Sequence, residues 1–195
     1  MIRSIALPEP NKKGAVSLEE ALNARRSVRQ FSSQLLTPSQ ISQLLWAAQG
    51  LTNAMGLRTV PSAGARYALE IYIIDDQGVF HYHPDDHRLS TYKEGDLRKD
   101  VCRAALDQDS ILQAPGTMVL TAVFDRIAER YSPERARRYV FMEVGHAAQN
   151  VLLQAQALGL GAVPIGAFED EALHAVLALP PDHKPLYLIP IGHPR

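Results

Sequence analysis

Apolar residues along this chain recur with two different periods, and the switches between them mark out its elements. Ile41, Leu44, Leu45 and Ala48 stand at helical spacing. Thr37, Pro38 and Gln40 open that run as N-cap, first helical residue and N3 acceptor, and Gly50 stops it. Ser17 and Glu20 repeat the device, so a first helix is expected from Leu18 through Ala21, Leu22 and Ala24 towards Arg25. The longest stripe opens at Ser132-Pro133, runs through Ala136, Tyr139, Val140, Val144, Ala147, Val151, Leu152, Ala155 and Leu158, and closes at Gly159. Gly145, Ala147 and Ala148 make its middle smooth enough for another helix to approach closely.

Elsewhere the pattern shortens to that of strands. The segment from Tyr67 to Asp75 is rich in β-branched and aromatic residues, and Asp76-Gln77-Gly78 reads as a hairpin turn into Val79–His83. Residues 117–124 form an apolar run short enough for a buried strand, introduced by Pro115 and Gly116. A short helix near Asp170 to Leu179 and a strand from Leu186 to Ile191 close the chain. Helices alternating with strands around a central hairpin predict an α+β sandwich on a mixed sheet. Residues 1–16, with Pro8, Pro10, Lys12, Lys13 and Gly14, read as an extended arm laid on the body or left mobile, and residues 17–195 as a single domain.

Composition narrows the function classes. At 195 residues and 46% apolar, the chain has material for one sizeable core. With 20 basic against 21 acidic side chains there is no bulk field to hold a polyanion, so nucleic-acid binding is not expected. Cys102 is the single cysteine, which excludes an internal disulfide and a thiolate zinc cage. No signal-like or membrane-spanning apolar run is present, and a cytoplasmic protein without membrane attachment is expected.

Three clusters could carry chemistry. Arg25, Arg26, Ser27 and Arg29 lie where the first helix ends; guanidiniums grip phosphate with bidentate bonds, though a solvated basic face completing the helix dipole is the plainer alternative. Pro61, Ser62, Ala63 and Gly64 form a small-residue loop before a strand, able to bring backbone amides and the Ser62 hydroxyl against a flat ligand, or to make only a tight turn at Gly64. Val163, Pro164, Ile165 and Gly166 follow the long helix and could offer bare main chain to a heterocycle edge, or form an ordinary core strand. Their glycines close a helix where the dinucleotide fingerprint would open one, so a Rossmann NAD site is not expected.

Other groups offer less. Glu143 and His146 are half of a di-iron motif whose other half is missing, so no metal is expected there, and His146 and Asn150 read as satisfying buried polar partners. His81, His83 and His87 sit in a hairpin context that favours surface histidines. No nucleophile elbow surrounds any serine, and Cys102 has no evident base.

In their order along the chain these pieces resemble the nitroreductase-like flavoprotein superfamily: RRSVR, then PSAG before a strand, AAQNVLLQAQALGLGAVPIG, and a terminal IPIGHP. Pro61, Ser62, Ala63, Gly64, Tyr67, Leu69 and Glu70 match the PSAG-x-x-Y-x-L-E stretch of the SagB-type dehydrogenase branch. The resemblance spans about Ser17 to Pro194. It implies the nitroreductase fold, a mixed, mainly antiparallel sheet flanked by helices, in an intertwined homodimer with FMN in two interfacial clefts. Arg25, Arg26, Ser27 and Arg29 would then hold the FMN phosphate and ribityl chain, with Arg195 a weaker phosphate ligand. Pro61 to Gly64 would line the ring in the partner's site, with Ser62 bonding its polar edge, and Val163 to Gly166 would face N5. NADH or NADPH would deliver hydride and an oxidised small molecule would collect it. Arg66 is a candidate for stabilising negative charge on the ring or substrate.

Two departures from the familiar reductases stand out: the chain ends in His193-Pro194-Arg195 where many place a fuller basic pair, and Gly64, Ala65 and Arg66 replace the usual loop Asn and Gln. A free-standing reductase is the preferred expectation. The alternatives are azoline dehydrogenation on a peptide with partner proteins, flavin binding without turnover, and a phosphate sensor built on the arginines alone.

Overall fold

A computed structural model describes residues 4–195. Its frame is a seven-stranded sheet in the order β1-β4-β3-β2-β5-β7-β6, formed by β1 (Ser4–Ala6), β2 (Leu69–Ile74), β3 (Gly78–His83), β4 (Arg88–Glu94), β5 (Gly116–Ala122), β6 (Gly161–Ala162) and β7 (Lys184–Gly192). All neighbouring strands run antiparallel, so the parallel element of a mixed sheet reduces to one bridge between Ser27 and Ala162.

Among the described residues, seven α-helices flank it: α1 (Leu18–Ala24), α2 (Pro38–Gln49), α3 (Arg98–Ala104), α4 (Asp109–Gln113), α5 (Asp125–Ala128), α6 (Pro133–Ala157) and α7 (Asp170–Leu177). The expected capping boxes are both formed. Ser17 Oγ accepts from the Glu20 N–H at 3.1 Å and Thr37 Oγ1 from the Gln40 N–H at 3.2 Å, with the Glu20 and Gln40 side chains accepting in return.

β5 holds the two layers together because all seven of its residues are buried. Alternate side chains point to opposite faces. Met118 and Leu120 join Ile71, Ile189, Val140, Val144 and Leu44 in the core beneath α2 and α6. Val119 joins Tyr72, Leu188, Val101, Ile111, Leu173 and Leu177 in a second core beneath α3, α4 and α7.

The arm is laid on the body from Ser4 to Asn11. β1 pairs with β4, Ser42 Oγ donates to the Pro8 carbonyl at 2.5 Å, and Gln43 exchanges hydrogen bonds with the main chain of Asn11. Residues 1–3 of the expected arm lie outside the described residues. Among the described residues, no helix is long and apolar enough to cross a membrane.

Leu120 is fully buried and pairs with Ile71 and Tyr187 across the sheet centre. Leu120→Ala is therefore expected to lower unfolding free energy by about 2–5 kcal/mol. Urea denaturation monitored by circular dichroism measures this.

Candidate functional site

The first helix ends at Arg25, and the chain then turns onto the sheet edge. The Val28 N–H donates to the Ala162 carbonyl at 3.0 Å, Ser27 forms its bridge to Ala162, and Phe31 pairs with Pro194. The Ser32 N–H donates to the His193 carbonyl at 2.9 Å and the Arg195 N–H to the Gln30 carbonyl at 3.2 Å. Gly161 is required for this closeness, since a Cβ there would lie 2.6 Å from the Val28 Cβ. Arg25–Arg29, β6 and the C-terminus, three segments distant in sequence, thus share one edge.

Arg29 and Arg195 are exposed, Arg25 is half-buried, and none of the three forms an ion pair among the described residues. His193 Nε2 in the same segment is buried without a hydrogen-bond partner. Guanidiniums without a carboxylate partner among the described residues leave donors to spare, which suits a phosphate. Arg26 departs from expectation: its Nη1 folds back onto the Asn23 and Arg25 carbonyls at 2.9 and 2.7 Å, completing the end of α1.

The loop at Pro61–Gly64 is elsewhere. Ala63–Ala65 form a single 3-10 turn, with left-handed φ at Gly64 (62°), Ala65 (53°) and Tyr67 (48°). Only glycine adopts that region freely; for Ala65 and Tyr67 it costs about 1–2 kcal/mol each. Ser62 is not the free donor expected. Its Oγ donates to Glu143 Oε2 at 2.6 Å and accepts from the Tyr67 N–H at 2.8 Å, because Glu143 on α6 lies buried beneath the loop.

Burial raises the pKa of Glu143, and the hydrogen bonds from Ser62, the Leu69 and Ala68 main chain and Gln49 oppose that rise. Gln49 Nε2 donates to Glu143 Oε1 at 3.3 Å while Gln49 Oε1 accepts from Arg58 at 3.3 Å. The Arg58 guanidinium lies 4.6 Å over the Tyr67 ring, and its Nε is buried and unpartnered.

The Val163–Gly166 main chain is less open than expected. The Val163 N–H donates to Pro190, and Ile165 exchanges both its main-chain bonds with Leu188, so only Gly166 is exposed with its N–H unspent. Arg66 pairs with Glu129 at 3.1 Å on the surface, so its charge is already answered.

The histidines are half-buried, contrary to their surface reading. His81 and His83 lie on β3 and His87 in the turn that leads into β4, and their neighbours supply partners: His81 Nε2 donates to Glu70 Oε2 at 2.6 Å, His83 meets Ser90, and His87 meets Ser42 and Tyr82. His146 is exposed, since α6 turns its ring outside the buried stripe; Asn150 does satisfy buried carbonyls, at Ala47 and Thr59.

Glu143 was read only as half of an incomplete metal motif, and Gln49, Arg58 and the Glu70 cluster were not anticipated as site elements. A legible signal existed for two of them: Glu143 interrupts the apolar stripe between Val140 and Val144, and Glu70 interrupts an apolar strand.

A profile of the nitroreductase family matches residues 22–193. The chain belongs to the nitroreductase family. It is 42% identical over 183 residues to a protein of Methanocaldococcus jannaschii provisionally named a nitroreductase, covering 91% of each chain. A crystal structure of a protein of that family from Ralstonia eutropha superimposes with a TM-score of 0.91 at 31% identity, covering 99% of this chain and 90% of the other. The trifolitoxin operon protein TfxC of Rhizobium leguminosarum bv. trifolii is 25% identical over 95% of this chain, which spans 57% of that longer protein. The expected fold and family are thereby established, and with them an oxidoreductase of this family.

Beside the Pro61–Tyr67 loop, burial disfavours the Glu70 carboxylate, but the hydrogen bonds from His81 and Arg126 and the charge of Arg126 outweigh it and hold its pKa at about 2. A depressed pKa stabilises the fold above the unfolded value and loses that stabilisation as pH falls through the folded one. The stability gap between wild type and Glu70→Gln should be widest near pH 7, up to about 3 kcal/mol, and close as pH falls from about 4.5 towards 2. Denaturant midpoints across that range check it, and a constant gap would contradict it.

Proposed function

We propose that this nitroreductase-family chain is an FMN-dependent oxidoreductase that takes electrons from NADH or NADPH and passes them to a small oxidised acceptor. The observation that carries the reading is the edge where the main-chain segments bearing Arg25, Ser27, Arg29 and Arg195 meet, with no carboxylate paired to any of the three arginines among the described residues. Arg25 and Arg29 would grip the phosphate with charge-assisted bonds, Ser27 would add a hydroxyl, and Arg195 would reinforce them from the C-terminus. Pro61–Gly64 would let main chain close on the flat ring, and Gly166 would offer its free N–H to the ring edge. When bound, FMN supplies the hydride chemistry, and the protein supplies grip, orientation and an open face.

The reading includes a homodimer with one site at each of two interfaces. Glu143, beneath the ring-lining loop, and Ala157, at the end of α6 nearest the phosphate edge, are 14 residues apart, or about 21 Å at 1.5 Å per residue. That separation is wider than the distance between ring and phosphate in one FMN, so the loop would serve the flavin gripped by the partner's arginines. The exposed Phe141, Met142 and Gly145 on α6 suit the close packing this needs. Cys102, a buried lone thiol, suits a reducing cytoplasm.

A second reading draws on the similarity to TfxC: oxidation of a modified peptide with partner proteins. The experiment that separates the two is anaerobic reduction of the purified protein. Bleaching of a yellow chromophore by NADH or NADPH alone supports the first reading, while a flavin bleached only by a heterocycle-bearing peptide favours the second. Arg25→Ala combined with Arg29→Ala is expected to purify colourless with an unchanged circular dichroism spectrum. Full flavin content in that variant would refute the phosphate assignment.

A further inference from the structure

Glu143 is a charged group with 1% exposure in the middle of a helix, and the function above gives it no task. A buried carboxylate is retained at a cost unless its surroundings use it. Here every neighbour turns a donor towards it. Ser62 Oγ donates to Oε2 at 2.6 Å, and Gln49 Nε2 donates to Oε1 at 3.3 Å.

Each of those bonds fixes the sense of the next. Gln49 faces Glu143 with its nitrogen because its oxygen accepts from Arg58 Nη1 at 3.3 Å. Ser62, its proton spent on Glu143, accepts from the Tyr67 N–H at 2.8 Å. The ring closes through Tyr67, whose hydroxyl accepts from the Arg58 N–H at 3.3 Å and whose face carries the Arg58 guanidinium at 4.6 Å. This circuit clamps both ends of a turn whose Ala65 and Tyr67 hold left-handed φ that their own Cβ atoms oppose.

We propose that Glu143 is a positioning residue: it holds the Pro61–Tyr67 turn in shape and fixes the polarity of Ser62, so that this hydroxyl meets whatever lies over the loop as an acceptor only. The inference rests on the reading that the loop lines a flavin ring. On that reading the remaining Ser62 lone pair takes a hydrogen bond from an N–H of the ring, and Ser62 donates nothing to the ring carbonyls.

The hydrogen-bond logic supplies a test that packing alone would not pass. Glu143→Gln is isosteric but puts an NH2 where one of the two side-chain neighbours, Ser62 or Gln49, donates. The least costly response turns the new NH2 towards Ser62 and releases the Ser62 proton into the site. Adding Gln49→Glu restores the pattern. A carboxylate at position 49 accepts both from Arg58 and from the new amide nitrogen at position 143, which leaves the oxygen of that amide for Ser62.

The readout is the dissociation constant of FMN for the apoprotein, by fluorescence quenching, alongside the melting temperature without flavin. Glu143→Gln should weaken FMN about tenfold, and Ser62→Ala by a similar factor with no further loss in the Ser62→Ala, Glu143→Gln pair. The Gln49→Glu, Glu143→Gln double variant should return to within about threefold of wild type. Unchanged affinity in Glu143→Gln, or a double variant no better than the single, overturns the inference. If Glu143→Gln fails to fold, a folded double variant with near-native affinity upholds it. If both fail to fold, Ser62→Ala decides by its affinity alone. Wild-type apoprotein that takes up no FMN overturns instead the reading of the site beneath it.

Discussion

The hydrogen bond from the Val28 N–H to the Ala162 carbonyl carries the arrangement on which the site depends. Ala162 belongs to β6, which pairs with β7, which in turn pairs with the fully buried β5. A stretch of chain that leaves an exposed helix is thereby referenced to the most rigid part of the sheet. The contact works because residue 161 has no side chain to hold Val28 away. Once Val28 is docked, Ser27 and the arginines beside it stand at the edge where β7 delivers His193 and Arg195. Arginines carried on main-chain segments that share one edge would answer an anion bound there.

The middle of α6 uses charge in the other sense. There a single buried carboxylate accepts from Ser62 in a strained turn and from Gln49 at a helix end, and Gln49 in turn accepts from an arginine stacked on tyrosine. Small residues at Pro61–Gly64 leave the main chain approachable, but small residues alone would not hold Ala65 and Tyr67 at left-handed φ. The network under the loop supplies that restraint. Close approach and rigidity therefore come from separate residues, the first exposed and the second buried.

Much of this was legible in the sequence, for physical reasons that differ by element. The ends of α1, α2 and α6 were marked by capping residues whose chemistry is local, so no tertiary knowledge was needed. β4 was missed because only Leu89 among its residues is fully buried, and the three-residue β1 is a strand solely by virtue of pairing with β4. The arginine cluster was readable as a cluster, whereas the fate of each guanidinium was not. Arg26 returns to the unsatisfied carbonyls that the end of α1 creates, a competition that spacing cannot reveal. Ser62 was misjudged for want of a contact 81 residues away, with Glu143. Three residues on a helix span about 300°, and that offset carries His146 to solvent while Glu143 stays at the buried edge.

On the proposed function, the arginine edge recognises the phosphate of a flavin nucleotide. The most direct test is a parallel titration of the apoprotein with FMN and with riboflavin, which share a ring and differ only in that phosphate. With two or more charge-assisted bonds to the phosphate, FMN should bind at least about a hundredfold more tightly than riboflavin, and the difference should shrink as salt is raised. Equal affinities for the two ligands would show that the arginine edge does not bind the phosphate.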